Sequence, residues 1–130
     1  MAATLTVLCA AHPKHECYTL ATTRASNVEA MKEGLYGNGW NAVSVFTFQL
    51  ERLPERYAYV IAIMDDVDGW WARGAQLFEC RKEATQRATE LANSGIKMQV
   101  SVHCAHAEEP VEIKWLPAPG ETMTATAHKY

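Results

Sequence analysis

Two short stretches carry the residues best suited to chemistry. "CAAHPKHEC" (9–17) holds Cys9, His12, His15 and Cys17, and "HCAH" (103–106) holds His103, Cys104 and His106. Imidazole nitrogen and thiolate sulfur are the donors that zinc takes, four of them in a tetrahedron at roughly 2.0–2.3 Å. Structural zinc sites usually draw two close pairs from separate turns. One pair from each stretch meets that requirement if the fold brings the stretches together, although C-x-x-H-x-x-H-x-C is not a standard ligand spacing. The candidate metal ligands are therefore His12, His15, Cys17, His103, Cys104 and His106. A cysteine nucleophile is another use of the same residues, with Cys17 beside His15 or His103 as base. It needs an oxyanion donor and a third, orienting group, and neither is recognisable here. The plainest reading has no cofactor: Cys9 and Cys104 pack as small hydrophobes on the inward phase of strands, and the histidines sit in solvated turns.

A third stretch, "MDDVDGWW" (64–71), sets Asp65, Asp66 and Asp68 beside Trp70 and Trp71. Three carboxylates in four residues suit Mg²⁺ or Ca²⁺ by type. The later Glu of a calcium loop is missing, so a solvated hairpin turn fits better. On a strand, successive side chains point to opposite faces. Trp70 and Trp71 then cannot enter one core together: either both faces are covered or one indole is exposed. An exposed Trp beside acids is an effective anchor for a binding partner.

These residues need a scaffold. Period-two alternation in "TLTVLCA" (4–10) places Leu5, Val7 and Cys9 on one face, and "CYTLATT" (17–23) reads as a second strand. Ser26 and Glu29 have capping-box spacing, so a helix is expected over 26–37, ending in "GNG". "NAVSVFTFQLE" (41–51) is apolar on both faces, which points to a strand in a sheet interior. "YAYVIAIM" (57–64) is another, and 70–79 returns as a strand bent at Gly74. Ala84, Ala88, Leu91 and Ala92 make a helical stripe within 82–94. "IKMQVSVHC" (96–104) alternates with Ile96, Met98, Val100, Val102 and Cys104 inward, and 111–116 adds a short strand. Residues 117–130 read as a flexible tail. Segments 17–48 and 75–104 share one order: strand, arginine, helix, glycine, strand.

The expectation is a single α+β domain over 1–116. Its sheet is mostly antiparallel with two helices on one face, in a ferredoxin-like βαββαβ arrangement with extra strands. That arrangement brings the end of 96–104 beside the start of 17–23, so the two Cys/His stretches meet. It also leaves a conflict, because pairing 4–10 with 17–23 takes a place that a plain ferredoxin-like sheet gives to another strand.

The chain has 130 residues, 48% of them hydrophobic and 21% charged, and a formal net charge of −3. That balance gives no electrostatic reason to expect nucleic acid or an anionic membrane as partner. The start lacks a signal peptide's charged n-region, and "YAYVIAIM" is too short to span a bilayer, so a cytoplasmic address with reduced cysteines is expected. Function is read as a small non-enzymatic protein, an inhibitor or accessory subunit of the kind phages also carry. It would bind another protein through Asp65, Asp66, Asp68, Trp70 and Trp71 or through a sheet edge, with a homodimer through such an edge also open. The alternative is a zinc protein built on the two Cys/His stretches.

Overall fold

A computed structural model describes residues 3–12, 14, 16–104, 109–116 and 124–127. Its strands are β1 (Ala3–His12), β2 (Glu16–Thr22), β3 (Ala42–Leu50), β4 (Tyr57–Asp65), β5 (Trp71–Phe78), β6 (Met98–Cys104), β7 (Glu112–Leu116) and β8 (Thr124–Ala127). Helix α1 (Val28–Gly37) lies between β2 and β3, and α2 (Arg81–Asn93) between β5 and β6. The chain is thus α+β and antiparallel throughout its sheets.

The strands form two sheets, ordered β2-β1-β3 and β5-β4-β6-β7-β8. This departs from the single sheet with both helices on one face that the ferredoxin-like expectation required. The reason lies in β1 and β4, which are apolar on both faces. Leu5, Val7, Cys9 and Ala11 of β1 share one cluster with Ala58, Val60, Ala62 and Met64 of β4, so the sheets pack face to face. The opposite phase of β1, Leu8 and Ala10, packs with Leu35 of α1. The opposite phase of β4, Ile61, packs with Ala88 and Leu91 of α2. Strict alternation along each strand therefore puts the helices on the two outer sides, giving layers α/β/β/α. Alanine and cysteine dominate the inter-sheet surface, and such small side chains let two sheets approach closely.

The conflict over residues 4–10 resolves in the same way. β1 is the central strand of its own sheet, pairing Cys9 with Thr19 of β2 and with Ser44 of β3. The strand read as interior, β3, is instead an edge: Val45 is 39% exposed. Its apolar phase, Phe46, Phe48 and Leu50, packs on the inter-sheet core.

The shared order of 17–48 and 75–104 is borne out and extends one strand further back. β1-β2-α1-β3 and β4-β5-α2-β6 are the same ββαβ unit, with the first strand central in both. The helix ends match closely. The amide of Trp40 donates to the carbonyl of Leu35, and Ile96 to Leu91. Gly39 and Gly95 sit at φ 92° and 79°, the left-handed conformation that closes a helix and favours glycine. The helix starts differ from expectation. A 3₁₀ turn, Ala25–Asn27, precedes α1, and neither helix has a side-chain cap hydrogen bond, so the Ser26/Glu29 capping box does not form.

The β4–β5 register slips between Ile63 and Met64, opposite Gly74 and Ala72, which skips Arg73 and supplies the irregularity expected near Gly74. Thr124–Ala127 form β8 against β7, where the sequence suggested no regular element. The rest of 117–130, with His15 and His106, lies outside the described residues.

Candidate functional site

The two Cys/His stretches sit on strand ends, and the pleat separates their members. On β1 and β2, His12 pairs with Glu16 and Ala11 with Cys17, so His12 and Cys17 lie on opposite faces. Cys17 enters the inter-sheet core. The His12 ring meets Trp40 edge-on at 6.2 Å, and its Nδ1 accepts the Lys14 amide at 3.2 Å. Trp40 in turn stacks on Tyr18 with ring centroids 5.9 Å apart. On β6, His103 and Cys104 are adjacent and also point to opposite faces. Among the described residues no group of three His, Cys, Asp or Glu side chains is placed to hold a metal ion.

His103 of the second stretch reaches β2 just beyond the end of the first. His103 is buried, and its Nε2 shares a 2.9 Å hydrogen bond with the Thr19 hydroxyl of β2, across the two sheets. Gln99 and Ser101 precede it on the same phase of β6, also fully buried, and Gln99 Nε2 donates to Ser101 Oγ at 2.9 Å. Gln99 Oε1 has no hydrogen-bond partner among the described residues. The alternation in 96–104 thus marks two buried faces, one apolar against α2 and one polar between the sheets. Nothing in a polar/apolar pattern distinguishes a buried polar phase from a solvated one.

The thiols beside this row are poor nucleophiles. Burial pushes Cys9 up from 9.0 to about 12. Burial, and then the neighbouring Cys9, raises Cys17 well above its ordinary value. A thiolate is the reactive species, so both residues behave as inert packing groups at neutral pH.

The third stretch converges on the surface. The turn between β4 and β5 is shaped by Asp68 at φ 58° and Gly69 at φ 113°. Asp65 Oδ1 accepts the Val67 amide at 2.9 Å, an Asx turn that holds the loop, and its Oδ2 lies 3.9 Å from Arg73 Nε. The two tryptophans divide. Trp70 is 7% exposed, packs in the inter-sheet core and donates through Nε1 to the Glu16 carbonyl at 3.1 Å. Trp71 is 38% exposed, and its Nε1 donates to the Val67 carbonyl at 3.1 Å, which fixes the ring against the loop. Val67 itself is 64% exposed.

An open depression of about 760 Å³ lies beside this turn, lined by Asn41, Ala42 and residues 66–71. Asn41 and Ala42 come from the other sheet, where the Asn41 amide is tied to the Ala11 carbonyl at 2.9 Å. The sequence carries no sign that Asn41 and Ala42 take part, because their approach depends on how the sheets face each other. Of the five residues singled out for binding, Asp66, Asp68, Trp70 and Trp71 line the depression, while Asp65 supports the loop from behind.

Among the described residues no helix is long and apolar enough to cross a membrane. No family model, curated protein or solved structure matches the chain.

Proposed function

We propose that this is a small protein-binding module that engages its partner through the β4–β5 turn and the depression beside it. The observation that carries the reading is the split of the tryptophan pair. Trp70 roots the turn in the core, and Trp71 stands exposed with its indole held against the Val67 carbonyl. A rigid, half-exposed Trp beside an exposed Val67 is the arrangement expected of an interface anchor, since little ordering cost remains to be met on binding. The buried Cys9 and Cys17 thiols further support a binding role over a thiolate-based reaction.

Site-specific photocrosslinking in the native host tests the proposal. A photoreactive residue at position 67 should trap a discrete partner. The same group at exposed Tyr36, on α1, should not. Equal trapping from both positions, or from neither, rejects the turn as the contact surface.

A further inference from the structure

The depression has an uneven character that bears on what enters it. Trp70, Trp71, Val67 and Ala42 contribute apolar lining, and Asp66 and Asp68 are the ionisable groups of the wall. Asp65 faces Arg73 at 3.9 Å, so its charge is partly answered within the protein. Asp66 and Asp68 have no ion-pair partner among the described residues. Two unanswered carboxylates beside an oriented indole favour a cation with an apolar stem. Carboxylates supply the charge, and the indole face adds attraction for a cation within about 6 Å of the ring centroid. Lysine and arginine have this form, with an aliphatic stem that packs on apolar surface below a charged head.

We infer that the depression bounded by Asn41, Ala42 and residues 66–71 receives a lysine or arginine side chain from a basic segment of the partner protein. This inference rests on the proposed binding role of the turn and names the chemistry of the partner's contact. The stem lies against Trp71 and Val67, and the head reaches Asp66 and Asp68. Acidic or phosphorylated segments are repelled by the same wall, which gives the surface its selectivity.

The test uses the full chain labelled with ¹⁵N and two synthetic 12-residue peptides. One alternates arginine with leucine, and the other replaces every arginine by citrulline, which keeps the shape and loses the charge. The arginine peptide should shift the Trp71 indole N–H resonance saturably, and the citrulline peptide should bind about two- to fivefold more weakly, as loss of an exposed charge pair implies. The double variant Asp66→Asn/Asp68→Asn should erase that preference. No saturable shift, equal binding of the two peptides, or an undiminished preference in the double variant overturns the inference. The native partner separates the two levels. If Trp71→Ala loses the partner while Asp66→Asn/Asp68→Asn keeps it in full, the binding role stands and the cationic contact is wrong. If both variants keep it, both fail.

Discussion

The Cys/His strand ends and the β4–β5 turn look equally promising as residue lists, and the fold treats them in opposite ways. At the strand ends the pleat sends His12 away from Cys17 and His103 away from Cys104. Cys9, Cys17 and His103 are absorbed by the inter-sheet core. In the turn, backbone reversal at Asp68 and Gly69 breaks the alternation and gathers Asp66, Val67, Asp68 and Trp71 around one depression. Close spacing along a strand therefore separates reactive groups, whereas close spacing in a turn assembles them.

The sharpest way to break this contrast is to truncate the neighbouring indoles one at a time. Trp70→Ala removes a core side chain and should cost about 3–5 kcal/mol of unfolding free energy. Trp71→Ala, on the exposed side, should cost less than about 1 kcal/mol. Chemical denaturation reads both, and similar costs at the two positions contradict the division of roles.

Alkaline pH probes the buried thiols. Burial raises Cys9 from 9.0 to about 12, so the folded state holds this proton more tightly than the unfolded chain does. Its contribution is complete below pH 9 and is lost as pH climbs from there towards 12, by up to about 4 kcal/mol. Denaturation midpoints should fall over that window, and Cys9→Ala should flatten the fall. A profile identical to the wild type places the cause elsewhere. At pH 8 a thiol reagent should label exposed Cys80 well before Cys9 or Cys17.

The Thr19–His103 bond offers a finer probe of the seam between the sheets. Thr19→Val keeps the shape and removes the hydroxyl, leaving His103 Nε2 without its 2.9 Å contact. A loss of about 1–3 kcal/mol is expected from the buried imidazole. No change in the denaturation midpoint shows that the bond adds nothing. Smallest is Asp68→Gly. Asp68 stands at φ 58°, a conformation glycine adopts without strain, so the variant should gain up to about 1 kcal/mol. A loss of stability instead means that the Asp68 side chain supports the turn.

Much of the scaffold was legible because each element has its own local signal. Alternation marked β1 and β6, a short run apolar on both faces marked β4, the alanine–leucine stripe marked α2, and the glycines that close the helices stood at Gly39 and Gly95. The arrangement of those elements was less legible. A strand apolar on both faces, such as β4, tells that two layers cover it but not whether the second layer is a helix or another sheet. The edge position of β3 was hidden for the same reason: Phe46, Phe48 and Leu50 look alike whether they pack in mid-sheet or on an open side. At the site, one exposed indole was one of the two outcomes expected for a strand over 70–79; in the fold Trp70 precedes β5 and enters the core, and Trp71 opens the strand on the exposed side. Asn41 and Ala42 reach the depression only because the second sheet lies where it does.

Calorimetric titration of the crosslinked partner against the wild type and Trp71→Ala, at matched thermal stability, tests the central claim most directly. The account predicts a loss of at least about 2 kcal/mol in binding free energy on truncating this one exposed ring. Affinity unchanged within about 0.5 kcal/mol, with the fold intact, contradicts it.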